Sequence, residues 1–362
     1  MEENKVPEAG QSLNAVEELA LWTGGEWKSL ARARTVTQER LASLRNDLGG
    51  LDNLDTSIVV FGSLARDEAT HASDIDWTLL IDGKADPKHL SMAQKIGRKI
   101  KRPPGREGTF GTLAFSHQIL HCIGGEEDSN ANTTRRVLLL LESKPLGNTQ
   151  AWEDVQKNLL SRYLSEDRGL WLETNRRGVP LFLLNDIARF WRIMVVDFSY
   201  KQREREHEGS ALRNIKLGLS RKLIYASGIL ACFSCDLDFP QKQLFDSGNA
   251  QRAIEHLRNA FCKTPLEIVA HALLQYDELR IPAKQLFDSY DRFIGLLEDE
   301  RENHNGHCPR KHLESLKPAD IATDPMFMEA QAIRREFGNA LTDIFLRKES
   351  PIQQLMIERG VF

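Results

Sequence analysis

Residues Ile58 to Ile81 read IVVFGSLARDEATHASDIDWTLLI, and the order of chemistry along them decides the architecture. The apolar run Ile58 to Phe61 stops at Gly62-Ser63, and a second, Trp77 to Ile81, starts directly after Asp74 and Asp76. Short apolar runs bounded by turn residues are the pattern of strands buried in a sheet. The period of two along a strand puts Asp74 and Asp76 on one face. Two carboxylates so placed repel each other, and a cation between them relieves the repulsion. Oxygen-only ligands predict a hard divalent ion, magnesium or else manganese, that keeps waters and is shared with substrate phosphates. Gly62 lets backbone amides approach an anion closely, and Ser63 adds a hydroxyl donor. Phosphate beside such an ion predicts a nucleoside triphosphate.

The series Gly62-Ser63, Arg66, Glu68 and Ser73-Asp74-Ile75-Asp76 resembles the signature of the DNA polymerase β-like nucleotidyltransferase superfamily. The form Gly-Ser-x-x-Arg-x-Glu with Ser-Asp-Ile-Asp is most similar to a bacterial branch containing the uridylyltransferases that modify the nitrogen-signalling PII protein. Beyond this core, Gly124 to Asp128 leading into Asn132 to Arg136 is similar to the segment that follows the core in that branch. Asn185 to Arg192 and Asn214-Ile215-Lys216 look like helices of related proteins of unassigned activity. The resemblance implies an α/β nucleotidyltransferase core, a small mixed sheet flanked by helices, followed by a mainly α-helical domain. It also implies transfer of a nucleoside monophosphate to an acceptor hydroxyl with release of pyrophosphate. Asp74 and Asp76 would hold the metal. Gly62, Ser63, Arg66, Ser73 and Lys216 are the candidate nucleotide contacts.

Most active members add a third carboxylate from a later strand, which orients or deprotonates the attacking hydroxyl. The strand expected here, Thr112 to Ile123 (TLAFSHQILHCI), holds no Asp or Glu. Three readings follow. Asp128, or failing it Glu126 or Glu127, swings in from the loop; His117 serves as base, with His121 a weaker candidate; or the chain binds nucleotide without turning it over. The last reading leads to the alternative of a nucleotide-binding regulatory module, or one half of a toxin–antitoxin or defence pair.

With 362 residues, the chain has room for two domains with proper cores. A hydrophobic fraction of 41% and a charged fraction of 28% are those of a soluble globular protein. No membrane span or secretory leader is predicted, and five cysteines without framework spacing fit a reducing compartment, hence the cytoplasm. The net charge of −4 argues against broad electrostatic binding to nucleic acid. The acceptor is left open between a protein, an RNA end and a nucleotide.

Three segments are expected: a helical lead-in over 1–50 that packs on the core, the catalytic core over 51–148 and an α-helical domain over 149–362. Apolar spacing predicts helices over Ser12 to Leu48 with a break at Gly24-Gly25, over Pro87 to Lys101, and through most of the chain after Arg135. The charged run Lys201 to Glu208 reads as a solvated connector. Arg213, Lys216 and Ser220 share one side of a helix, placed to meet a triphosphate or to form a solvated basic face. Asn185, Asp186, Arg189 and Arg192 pose the same choice, as do Arg135 and Arg136. The basic segment Lys95 to Arg106 would steer phosphates or end a helix. Cys232 and Cys235, with His304, His307 and Cys308, would make a zinc site only if the two segments met; buried thiols in an apolar helix are the plainer reading.

Overall fold

The computed structural model describes residues 13–71, 73–100, 110–171, 178–204, 209–240, 243–245, 250–298, 308–348 and 350–361. Two helices, α1 (Ala15–Thr23) and α2 (Lys28–Leu48), lead into strands β1 (Thr56–Phe61) and β2 (Asp76–Ile81). Then come α3 (Pro87–Ile100), β3 (Leu113–Phe115), α4 (Ser116–His121), α5 (Asn130–Leu141) and β4 (Ser143–Pro145). The break between α1 and α2 is enforced by Gly24, which closes α1 in the left-handed conformation at φ +67°.

The four strands form one mixed sheet in the order β3-β2-β1-β4: β1 is antiparallel to β2 and β4, while β2 runs parallel to β3. All six residues of β1 are buried, and the pleat divides them between two cores. Ile58 and Val60, with Trp77, Leu79 and Ile81 of β2, pack on Leu41, Leu44 and Leu48 of α2 and on Ala93 and Ile96 of α3. Val59, Phe61 and Leu80 face the opposite way, into the large core that continues through the helices that follow. Burial on both faces explains why the strands read as unbroken apolar runs.

The remainder is helical: α6 (Gln150–Glu166), α7 (Arg168–Trp171), α8 (Leu181–Glu204) and α9 (Ser210–Lys216), a π-helical turn over Leu217–Arg221, then α10 (Lys222–Leu237), α11 (Gln251–Phe261), α12 (Pro265–Leu273), α13 (Arg280–Leu297), α14 (Pro309–Ser315), α15 (Pro325–Leu346) and α16 (Pro351–Leu355). Two expectations need correction. The strand expected over Thr112 to Ile123 is three residues of strand followed by helix α4, because Ser116 and Ile119 bury one helical turn apart while His117 and His121 face solvent. The connector expected from Lys201 is helical through Glu204, the end of α8; residues 205–208 lie outside the described residues. Among the described residues no helix is long and apolar enough to cross a membrane.

Candidate active site

The end of β1 pairs with the start of β2 at Phe61–Asp76 and with the start of β4 at Phe61–Ser143. Sheet order therefore gathers three places far apart in sequence: the Gly-Ser turn after Phe61, Asp76, and Glu142 just before Ser143. Gly62 sits at φ +70°, and a Cβ placed on it would lie 3.0 Å from Asp76 Oδ2 and 3.7 Å from Glu142 Oε1. The turn is folded onto both carboxylates, in a conformation and a space that suit glycine.

Glu142 is the acid that the sequence analysis missed. It closes the apolar run Leu138 to Leu141 ahead of Ser143-Lys144-Pro145, and nothing in that stretch announces an edge strand of three residues. Its place is fixed by Arg66, whose Nη1 donates to Glu142 Oε1 at 2.8 Å while Nε donates to Glu68 Oε2 at 2.8 Å. The Tyr290 hydroxyl of α13 donates in turn to Glu68 Oε1 at 2.9 Å. The motif's Arg and Glu thus form a buried relay running from the helical region to Glu142. Burial pushes the carboxyls of Glu68 and Glu142 upward, with Arg66 opposing. Burial likewise works against the charge of Arg66, but Glu68 and Glu142 outweigh it and keep the guanidinium charged.

The loop carrying the aspartates is tied to its surroundings. Thr37 Oγ1 of α2 accepts from the Ala69 amide at 2.9 Å, and Arg40 donates to the carbonyls of Thr70 and Ser73. Ser73 Oγ accepts from the Thr70 amide at 2.9 Å, so that hydroxyl closes the loop. Asp67 adopts φ +59° and pairs with Lys144 of β4 at 2.6 Å. Asp76 opens β2, while Asp74 lies in the loop just before it, so the strand period expected to set the two carboxylates on one face does not extend to Asp74; both are exposed. The protein crowded around Asp76 raises its pKa, the Asp74 charge raises it further, and Arg66, Lys216 and Arg221 pull it back.

Lys216 and Arg221 come from the helical region. A π-turn takes more residues per revolution than an α-helix, so residues five apart swing toward the same side; Lys216 and Arg221 both act on Asp76. Burial, then the charges of Arg310 and Arg221, bring the Lys216 ammonium down to about 8. Ser220 is turned inward and hydrogen-bonds the Tyr290 hydroxyl. Arg334 Nη1 of α15 donates to Asn214 Oδ1 at 2.6 Å and fastens α9 from behind.

Asp128 belongs to a different network. The fully buried Arg136 donates to both of its oxygens at 2.8 and 2.9 Å, and also to Asp186 and the Tyr163 hydroxyl. Arg189 Nη1 and the Gly124 amide donate to Asp128 Oδ2 at 2.8 and 2.9 Å. These bonds employ Asp128, Asp186, Arg136 and Arg189 in joining α5 to α8, and none of them runs to Gly62, Asp76 or Glu142. Glu126 and Glu127 are exposed, as are His117 and His121, whose rings lie 4.7 Å apart on α4. Cys232 and Cys235 are buried in α10, and burial pushes both thiols up; His304 and His307 lie outside the described residues, as does Lys101 to Arg106 of the basic segment.

The donors at the β1–β2 end suit a hard divalent cation. Asp74 and Asp76 supply oxygen only, and the mutual repulsion that raises Asp76 is what such an ion relieves. Among the described residues no three His, Cys, Asp or Glu side chains form a complete metal cage, so phosphate oxygens and water would complete the coordination.

The model of a family described as a nucleotidyltransferase domain matches residues 41–111. That span carries the end of α2, β1, the Gly-Ser turn, both aspartates, β2 and α3, and supports the polymerase β-like superfamily for this part of the chain; it ends before Glu142. No curated protein and no solved structure matches the chain.

Proposed function

We propose that the chain transfers a nucleoside monophosphate from a nucleoside triphosphate to an acceptor hydroxyl and releases pyrophosphate. The observation that carries this reading is the approach of Asp76 and Glu142 to within 4 Å of where a Cβ on Gly62 would lie, with the charges of Lys216 and Arg221 acting on Asp76. Asp74 and Asp76 would hold a magnesium or manganese ion, which when bound would neutralise phosphate charge and sharpen the electrophilicity of the α-phosphorus. Gly62 and Ser63 cradle the terminal phosphates with the backbone of the turn and a hydroxyl. Lys216 and Arg221 neutralise the same phosphates from the helical side. Glu142, the carboxylate outside the Asp74–Asp76 pair, accepts the proton of the acceptor hydroxyl as that oxygen bonds to the α-phosphorus and the bond to pyrophosphate breaks. Arg66 holds Glu142 in position throughout. This assigns to Glu142 the part that sequence spacing suggested for Asp128.

The test is incubation of the full chain with each labelled nucleoside triphosphate, magnesium or manganese, and cell extract. Label moving to protein, RNA or a small product identifies the acceptor class; the resemblance to PII uridylyltransferases favours protein. Asp76→Asn should reduce transfer by at least about a thousandfold, the scale on which a lost electrostatic contact to the transition state is felt, while melting within a few degrees of the parent. An Asp76→Asn chain that turns over at the parental rate would overturn the assignment, and nucleotide binding without transfer would point to a regulatory module.

A further inference from the structure

Strand β4 is a weak edge by its own composition. Its three residues are Ser143, Lys144 and Pro145, and proline has no amide hydrogen to give to a ladder. Yet the register of β4 on β1 decides where Glu142 lies, because Glu142 directly precedes the strand. A strand this short slips unless side chains fix it. Ser143 is fixed by its hydroxyl, which accepts from Trp152 Nε1 at 2.8 Å and donates to the Leu139 carbonyl at 2.6 Å. Lys144 and Glu142 are fixed by the motif loop. We propose that the ion pair of Asp67 with Lys144 is a register lock for β4, which makes Asp67 a positioning residue for Glu142. The lock belongs to the fold, and its effect on transfer rests on the reading proposed above.

The first observation is the order of the charges. Consecutive loop residues meet strand-side residues two apart: Arg66 Nη1 donates to Glu142 Oε1 at 2.8 Å, and Lys144 Nζ donates to Asp67 Oδ1 at 2.6 Å. The loop runs plus then minus where the strand side runs minus then plus. A slip of two residues one way would set Lys144 against Arg66, and a slip the other way would set Glu142 against Asp67. Like charges meet in both cases, so the pairing excludes the neighbouring registers as well as favouring the native one.

The second observation is backbone strain. Among the described residues Asp67 alone combines a side chain with a positive φ, at +59°. Glycine would take that conformation freely. A residue held in a disfavoured conformation points to a use for its side chain, and the bond that the Asp67 carboxylate makes is the one to Lys144. The third is shielding: the two side chains are only 18% and 24% exposed, so solvent screens this pair less than one at the open surface.

The experiment compares Asp67→Gly, Asp67→Asn and Lys144→Met in the full chain. Asp67→Gly loses the pair but also the strain, so it should melt within a few degrees of the parent. The Leu146 amide, which donates to the Ile58 carbonyl at 2.8 Å where the β4 pairing continues, should nevertheless exchange its hydrogen about tenfold faster by NMR. Transfer should lose about ten- to a hundredfold in kcat, with KM for the triphosphate within about twofold of the parent, because Glu142 is displaced while the phosphate contacts are untouched. Lys144→Met should lose as much kcat and melt lower than Asp67→Gly, since it keeps the strain without the pair. Asp67→Asn tolerates the left-handed backbone and still offers Lys144 an oxygen, so it should recover most of the loss. Parental exchange at Leu146 in Asp67→Gly, or parental kcat in a parent chain that does transfer, would overturn the proposal. Exchange is read without nucleotide, so it decides the lock even if the parent shows no transfer, and a failed lock leaves the transferase reading standing.

Discussion

Gly62 concentrates the demands of the candidate site on one backbone position. A side chain there meets two obstacles: the left-handed φ of +70°, which costs an ordinary residue about 1–2 kcal/mol, and contact at 3.0 Å with Asp76 Oδ2. Gly62→Ala should lower unfolding free energy by about that amount in urea, and shift Asp76 enough to reduce transfer ten- to a hundredfold, the order expected for an ångström-scale misplacement. Lys216 carries a different consequence. Its ammonium is brought down to about 8, so it is charged below that pH and loses its charge above it. Triphosphate affinity, measured by titration calorimetry from pH 6.5 to 9.5, should fall as pH rises through about 8. In Lys216→Arg that alkaline decline should vanish, because a guanidinium stays protonated across the range. A decline that survives the substitution would place the titrating group elsewhere.

At the scale of elements, α5 and α8 are joined by the Arg136 cluster, in which Asp128 is the central acceptor. Burial acts to raise the Asp128 carboxyl, but hydrogen bonds from Arg136 and the Gly124 amide, the Arg136 charge and the Arg189 bond together hold it below its ordinary value. A carboxyl depressed in the folded state contributes stability that is present above its unfolded pKa and lost as pH falls through the folded one. Asp128→Asn should therefore cost about 3–5 kcal/mol at neutral pH, the scale for leaving a buried partner such as Arg136 uncompensated. The deficit should shrink in acid, and the magnesium-dependent rate of the folded fraction should stay within a few-fold of the parent; denaturant melts at pH 7 and pH 3 read the first effect. The contrast with Glu142 shows what sequence could convey. Strands β1 and β2 were legible because each is an apolar run bounded by turn residues, and helices such as α3 and α15 because each carries the apolar spacing of one helix face. Strand β4 is three residues that pair only because β1 offers an open edge, so Glu142 gains its place from a partner some eighty residues earlier and not from its neighbours. The misread run at Thr112 failed for the complementary reason: short apolar stretches fit both periods, and Ser116 and Ile119 take the helical one. The π-turn that aims Lys216 and Arg221 has no local signature.

Across the whole molecule, the α/β core draws its packing and its polar satisfaction from the rest of the chain. Each of its two sheet faces is buried by helices, α2 and α3 on one side and, on the other, the core that also contains Leu159, Phe287 and Tyr290. Cutting out residues 51–148 would remove α2 and uncover Val59, Phe61 and Leu80. It would also strip Glu68 of the Tyr290 hydroxyl and the Ala69 amide of Thr37, leaving polar groups of the motif loop without the bonds that fix Asp74 and Asp76. Each such orphaned group costs about 1–3 kcal/mol, and a core with one open face lacks the apolar burial to offset that loss. The fragment 51–148 is therefore expected to show no cooperative melt by circular dichroism, whereas the intact chain should unfold with far-ultraviolet and tryptophan fluorescence transitions that coincide. The same coupling predicts the behaviour of Tyr290→Phe. The substitution keeps the aromatic packing but removes a hydroxyl bonded to a buried carboxylate, so stability should fall by about 1.5–3 kcal/mol. Transfer should fall with it even where the chain is fully folded, because the relay through Glu68 and Arg66 no longer fixes Glu142. A fully folded Tyr290→Phe chain with parental kcat and an unchanged pH profile would mean that the helical region supports the core without tuning its chemistry.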